Sequence, residues 1–292
     1  MTNYQSPSND TSEQTDMELV QASINGNKKA LEVLITRHQS YIYNIAWKMV
    51  LSPEDAEDVT QEIFIKVITN LSSFEGKSAF RTWIYRITVN YILAMKKRQM
   101  ETIIHGFESY FDGLDALPDT ALSILEEQEL QETITDVKIS CTAGMLLCLD
   151  REQRMILVLG DIFEIDHHVG AEIFDISPEN FRQKLSRARK DLYSWMNRRC
   201  GLVNAANPCR CPKKTKAFIN AGWVDPQGLK FNAHYTKSIY EIAHKSDESD
   251  CDKIEELHRR IFAEHPFQER PGSKKVLEEL IHNAFFKEHY RL

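Results

Sequence analysis

Residues 76–98 read GKSAFRTWIYRITVNYILAMKKR, and this stretch decides the class of fold. Phe80, Ile84, Ile87, Tyr91 and Ala94 recur at steps of three and four, the spacing of one face of an α-helix. Lys77, Arg81, Arg86, Lys96, Lys97 and Arg98 take other positions, and residues 77–98 hold no Asp or Glu. A helix over this stretch buries one stripe and shows water a cationic surface. The 292-residue chain carries a formal net charge of −7, so this patch stands against an acidic background. Gathered positive charge of that kind is the electrostatic footprint of a phosphate-binding surface.

Outward from this helix the pattern stays helical. Upstream, Asp16 is placed to cap a short helix ending at Gly26, and Asn27 starts a longer one with Leu31, Leu34, His38, Tyr41, Ile45 and Met49 on one side. Ser52-Pro53-Glu54-Asp55 then supplies a cap, a first-position proline and first-turn acids for a third helix reaching about Asn70. Downstream, residues 101–137 contain many acids and no Lys or Arg, which predicts a linker with some helix over 121–131. Residues 1–15 are polar enough to predict a disordered tail.

A second cationic stretch, SPENFRQKLSRARKD over 177–191, follows HHVGAEIFDI. Ser177 is a natural N-cap and Pro178 a natural first residue. Phe181, Leu185, Ala188 and Leu192 form a buried stripe that turns Arg182, Lys184, Arg187, Arg189 and Lys190 outward or to the flanks. A short support helix, a turn and a basic helix make a helix-turn-helix, whose second helix suits the major groove. Asp175 stands where such turns usually place glycine, and Gly170 where an apolar residue is common. An ordinary helical hairpin with a charged surface is the plainer alternative.

The order of these elements resembles the bacterial sigma factors of the extracytoplasmic-function group, in the sigma-70 family. Residues 16–100, with DAEDVTQEIFIKV and SAFRTWIYRITVNYILAMKKR, look like their second conserved region; residues 149–195, from LDREQRMILVLGDIFEI to SPENFRQKLSRARKDLYSW, look like the fourth. The resemblance implies a region 2-like domain (16–100) and a region 4-like helix-turn-helix domain (139–200) and covers neither end of the chain; composition and periodicity add a disordered tail (1–15), an acidic linker (101–138) and a mostly helical extension of unknown role (201–292), for an all-α chain of five parts. It also implies a dissociable promoter-specificity subunit of RNA polymerase, acting at the minus 10 and minus 35 elements. Asp58, Gln61 and Glu62 match the family's polymerase-docking helix and share one face. On the basic helix Arg86, Asn90 and Lys97 fall in one sector beside Trp83, a set of cation, amide and ring suited to an unstacked base, with Trp83 as core the competing reading. Arg81, Lys96 and Arg98 would follow phosphates, while Arg182, Gln183, Lys184, Arg187 and Arg189 would meet duplex DNA. The acids of the linker are read either as a self-repelling spacer or as a nucleic-acid mimic.

Core RNA polymerase and promoter DNA are the implied partners, and the resemblance admits an anti-sigma factor. No membrane span, signal peptide, catalytic constellation or cofactor is expected, and the chain is expected in the cytoplasm. Two other readings stay open: a helix-turn-helix regulator that never joins polymerase, and a metal-dependent enzyme built on cysteines. Cys200, Cys209 and Cys211, with a histidine such as His234, suit zinc, redox sensing or a merely structural turn. Cys141 and Cys148 read as core thiols.

Overall fold

A computed structural model describes residues 14–228, and among these the chain is all-α with no strand. Most of the tail expected over 1–15 and most of the helical extension expected over 201–292, with His234, lie outside the described residues. The first four helices are α1 (Asp16–Ile24), α2 (Lys28–Val50), α3 (Pro53–Thr69) and α4 (Phe80–Ala94). Asn27 and Ser52 cap α2 and α3 as their sequence signals require, accepting from Ala30 N at 3.1 Å and Asp55 N at 3.2 Å. The cap of α1 is Thr15 rather than Asp16. Thr15 and Glu18 form a reciprocal capping box, which frees Asp16 to pair with Arg37 at 2.7 Å and with His38 Nε2 at 3.0 Å.

The basic helix is shorter than residues 76–98 suggested, because it begins at Phe80 and stops at Ala94. Its far end is closed by Arg151. That guanidinium donates to Ile92 O at 3.1 Å, to Met95 O, and to Lys96 O at 3.0 Å, satisfying carbonyls that a helix C-terminus leaves without partners. Thr82, Tyr85, Thr88, Val89 and Ile92 are buried beside Phe80 and Ile84, so the inward face is wider than the sequence stripe, and Ala94 is exposed.

Beyond α4 lie α5 (Gln99–Ile103), α6 (Phe107–Ala116), α7 (Ile124–Glu129) and α8 (Gln131–Leu147). The segment read as a linker is therefore largely helical, and a boundary at residue 139 falls inside α8. Phe111 and Leu114 of α6 are buried, and Phe107 and Phe111 both stack on Trp195, at 5.8 and 6.0 Å between ring centres. Its acids also find partners. Asp112 and Asp115 meet Arg199 at 3.0 and 2.6 Å, Asp119 meets Lys214 at 2.9 Å, and Glu126 meets Lys216 at 2.7 Å.

The chain then forms α9 (Arg151–Leu157), which runs into a π-helical turn (Val158–Ile162), followed by α10 (His167–Phe174), α11 (Pro178–Arg199) and α12 (Cys211–Asn220). One apolar cluster joins α1 to α4 and extends to Ile139, Met155, Val158, Leu159 and Ile173. A second gathers Phe111, Leu114, Val137, Met145, Leu192, Met196, Phe218 and Val224. The two halves are thus packed on each other, and the start of the extension belongs to the second core. No helix among the described residues is long and apolar enough to cross a membrane.

Glu101, 5% exposed, joins the halves: Arg151 reaches it at 2.6 and 2.8 Å and Arg154 at 3.2 Å, while Arg154 also donates to Met49 O near the end of α2. Burial alone would raise this carboxyl, yet hydrogen bonds from Arg151 and the Arg98 N–H, with the charges of both arginines, bring it below the usual carboxylate range. Glu101→Ala strands two largely buried guanidinium groups and should lower unfolding free energy by about 3–5 kcal/mol in urea titrations. Lys48 sits at 1% exposure with its ammonium over the rings of Trp47 and Phe163, and burial pushes its pKa down to about 7. Between that value and the ordinary lysine value of 10.5 the unfolded chain holds one more proton than the folded one, so this residue makes stability rise with pH across that window. Lys48→Met should raise stability by roughly 1–4 kcal/mol below pH 7, with the gain fading toward pH 10.5 in melts run across pH.

Candidate nucleic-acid interface

The helix-turn-helix forms over α10 and α11. Asp166 caps α10 through His168 N at 2.8 Å, and Ser177 caps α11 through Asn180 N at 3.1 Å, with Pro178 in the first turn. Asp175 takes the left-handed conformation, φ 55° and ψ 46°, which its short polar side chain tolerates better than most. Gly170 has a packing reason. A Cβ there would lie 2.5, 2.6 and 2.8 Å from three atoms of the Phe181 ring, so the missing side chain is the seat of that ring. Ile156, Ala171 and Phe181 then form a small buried cluster tying α9, α10 and α11 together.

On α11, Phe181, Ala188 and Leu192 are fully buried and Leu185 is half-buried. Arg182, Gln183 and Arg187 are exposed, although Arg182 pairs with Glu179 one turn earlier. Lys184 reaches Glu152 at 2.8 Å. Arg189 differs from its neighbours. Its guanidinium grips both oxygens of Asp161, which is 0% exposed and also accepts from Tyr193 Oη at 3.0 Å. Exposed pairs such as Arg182 with Glu179 are worth little and exchange readily for phosphate, whereas removing Arg189 from Asp161 leaves a buried carboxylate short of a partner. Charge patterning on α11 could not separate these cases, because Asp161 lies in a different element.

The other basic surface is on α4. Arg81 and Asn90 are exposed, the former lying over the Tyr41 ring at 4.8 Å. Trp83 is half-buried: it stacks on Phe80 at 5.5 Å and meets Phe74 at 5.5 Å, so its ring is positioned by the core without being enclosed in it. Arg86 donates to Glu172 O at 2.6 Å, a contact made because α10 packs along α4 with Ile173 in the shared cluster. Lys97 lies beyond the end of α4, on the non-helical link to α5, and so does not share the helical sector of Arg86 and Asn90. The capping of α4 by Arg151 moves it there.

On α3, Asp58 and Glu62 are exposed and Gln61 half-buried, side by side on one face. Arg98 stands 3.3 Å from Asp55 and 3.9 Å from Asp58 at the border of this face. The molecule thus presents an acidic and amide patch on α3, a cation-and-aromatic edge on α4, and a cationic face on α11.

The sigma-70 region 2 family matches residues 34–102, which include Asp58, Gln61, Glu62 and all of α4. The ECF RNA polymerase sigma-E factor of Haemophilus influenzae is 30% identical over 183 residues, covering 60% of this chain and 92% of the relative. That of Escherichia coli K12 is 32% identical over 181 residues, covering 60% of this chain and 91% of the relative. Among solved structures, CnrH in complex with the cytosolic domain of CnrY aligns with a TM-score of 0.45 and 21% identity, over 63% of this chain and 99% of that one.

Gly170→Ala should lower stability despite the better helix propensity of alanine. Overpacking against Phe181 costs about 1–3 kcal/mol against a gain of at most ~1 kcal/mol. Pairing it with Phe181→Leu, which makes room, should give a loss smaller than the sum of the two single losses in denaturant titrations.

Proposed function

The chain belongs to the extracytoplasmic-function group of sigma-70-family RNA polymerase sigma factors, which direct transcription initiation, and from that membership we propose how its three surfaces divide the work. The α3 patch of Asp58, Gln61 and Glu62 docks on a basic helical surface of core RNA polymerase. Trp83, Arg86 and Asn90 on α4 hold an unstacked base at the minus 10 element, with Arg81 and Lys97 on nearby phosphates; ring stacking contributes about 1–3 kcal/mol per base and the amide reads a base edge. Arg182, Gln183, Lys184 and Arg187 approach the minus 35 duplex, while Arg189 holds α11 at the angle that presents them.

The observation that carries this reading is that α4 keeps Arg81, Arg86 and Asn90 exposed and Trp83 half-exposed on a helix whose opposite face is fully buried. The packing of α10 on α4 adds a condition. The bond from Arg86 to Glu172 O commits part of its guanidinium to α10, and separation of α10 from α4 frees all of it for a promoter. Binding to polymerase supplies the energy for that separation by preferring the open arrangement.

Purified core polymerase with this chain should start transcripts at defined sites on genomic fragments, and core alone should not. Changing Asp58, Gln61 and Glu62 together to Ala should weaken core association by about 100-fold, equivalent to roughly 3 kcal/mol. Binding of a minus 35 duplex by the free chain should be unchanged. Unaltered association of the triple variant with polymerase would refute the docking assignment.

A further inference from the structure

Cys141 and the three cysteines of residues 200–211 converge where α8, the end of α11 and the start of α12 meet. Cys200 is buried, Cys141 and Cys211 pack against the same apolar cluster, and α12 lies on α8. The Cys141 thiol is close enough to feel the charge of Cys200, Cys209 and Cys211, and Cys211 that of Cys200 and Cys209. Cys141 is the member that sequence spacing could not supply, since it lies 68 residues before Cys209 on a separate helix.

The loop between α11 and α12 is built to bring the thiols together. Gly201 touches the backbone of residue 209, where a Cβ would lie 1.9 Å from Cys209 O, so no other residue lets the chain close here. Arg210 pins the same loop by donating to Ala205 O at 2.6 Å, Cys209 O at 2.9 Å and Asn207 O. Asn207 Nδ2 donates to Cys200 O at 3.1 Å.

Polar groups also aim at the sulfurs. The N–H groups of Leu202 and Val203 point at Cys200 Sγ, and that of Gly201 at Cys209 Sγ. Tyr110 Oη donates to Cys141 O at 2.8 Å and lies 3.7 Å from Cys141 Sγ. Arg210, Lys214 and Lys138 place positive charge near Cys200, Cys209 and Cys211 respectively. Lys214 Nζ itself bonds Asp119 and Leu117 O, and Arg210 the loop carbonyls, which fixes these cations beside the thiols. A divalent ion held by four thiolates carries two net negative charges, which nearby donors and cations offset.

We propose that Cys141, Cys200, Cys209 and Cys211 form a four-thiolate site for zinc, which fastens the extension and α8 to the end of the DNA-reading helix. Among the described residues, three ligand atoms all within 4.8 Å of one another occur at Asp166, His167 and His168, where Asp166 caps α10, and not at the thiols. Zinc binding therefore requires the thiols to draw closer together, to Zn–S distances of about 2.3 Å. Burial keeps the thiols protonated, with Cys200 pushed up to about 11 and Cys211 to about 12. Such thiols are poor targets for oxidants, and metal capture releases their protons, so affinity rises with pH.

The full chain purified from zinc-supplemented cells should contain one zinc per molecule by elemental analysis. Cobalt substituted for zinc should show the thiolate charge-transfer and tetrahedral d–d bands. Cys141→Ser and Cys209→Ser should each weaken cobalt binding by more than about 100-fold, beyond what loss of an outer-shell partner costs. Cys148→Ser, whose thiol donates instead to Gly144 O at 3.8 Å, should bind as the parent does. The parent chain itself is the measurement that does not depend on variant folding. A reduced, natively helical parent without stoichiometric zinc or the cobalt bands overturns the proposal, as does full cobalt affinity in folded Cys141→Ser.

Discussion

Glu101 and the two arginines that hold it are the constraint on which the arrangement of helices depends. Arg151 closes the carbonyl end of α4 and Arg154 donates to Met49 O near the end of α2, and both share one largely buried carboxylate. Helix ends of this kind are usually finished by local caps or by water. Here they are finished from a helix that starts 57 residues after α4 ends. The first bundle is therefore completed by the second half of the chain, and the place where α4 stops is set by Arg151.

The same economy shapes the middle of the chain. An acid-rich segment with Phe107, Phe111 and Leu114 has enough apolar surface to be held in a fold, and its charge finds partners in Arg199, Lys214 and Lys216. Exposed pairs of this sort contribute little individually. The aromatic stack on Trp195 and the burial of Phe111 account for most of the attachment. Neither a free spacer nor a fully exposed polyanion describes this segment in the compact arrangement.

That arrangement also gives several basic residues a place in the fold. Arg86 bonds the backbone of α10 from an exposed helix position, which is reversible. Arg189 grips the fully buried carboxylate of Asp161, a contact far costlier to break. The contrast separates cations that can exchange a protein oxygen for a phosphate from one that maintains the geometry of the helix-turn-helix. In a sigma factor, this closed form with α10 against α4 keeps the exposed edge of α4 partly engaged by the protein itself.

Local rules read directly from the residues determined much: all-α class, the caps at Asn27, Ser52 and Ser177, the buried stripe of α11, and the exposed faces bearing Asp58, Asn90, Arg182 and Arg187. Periodicity and capping act within a few residues, so a sequence carries them complete. The cap of α1, the length of α4, the position of Lys97, the engagement of Arg189 and the addition of Cys141 to the other thiols were decided by tertiary structure. Each depends on a group brought close in space from a distant part of the chain, and the net preference among such contacts is set by burial and geometry that no local pattern records.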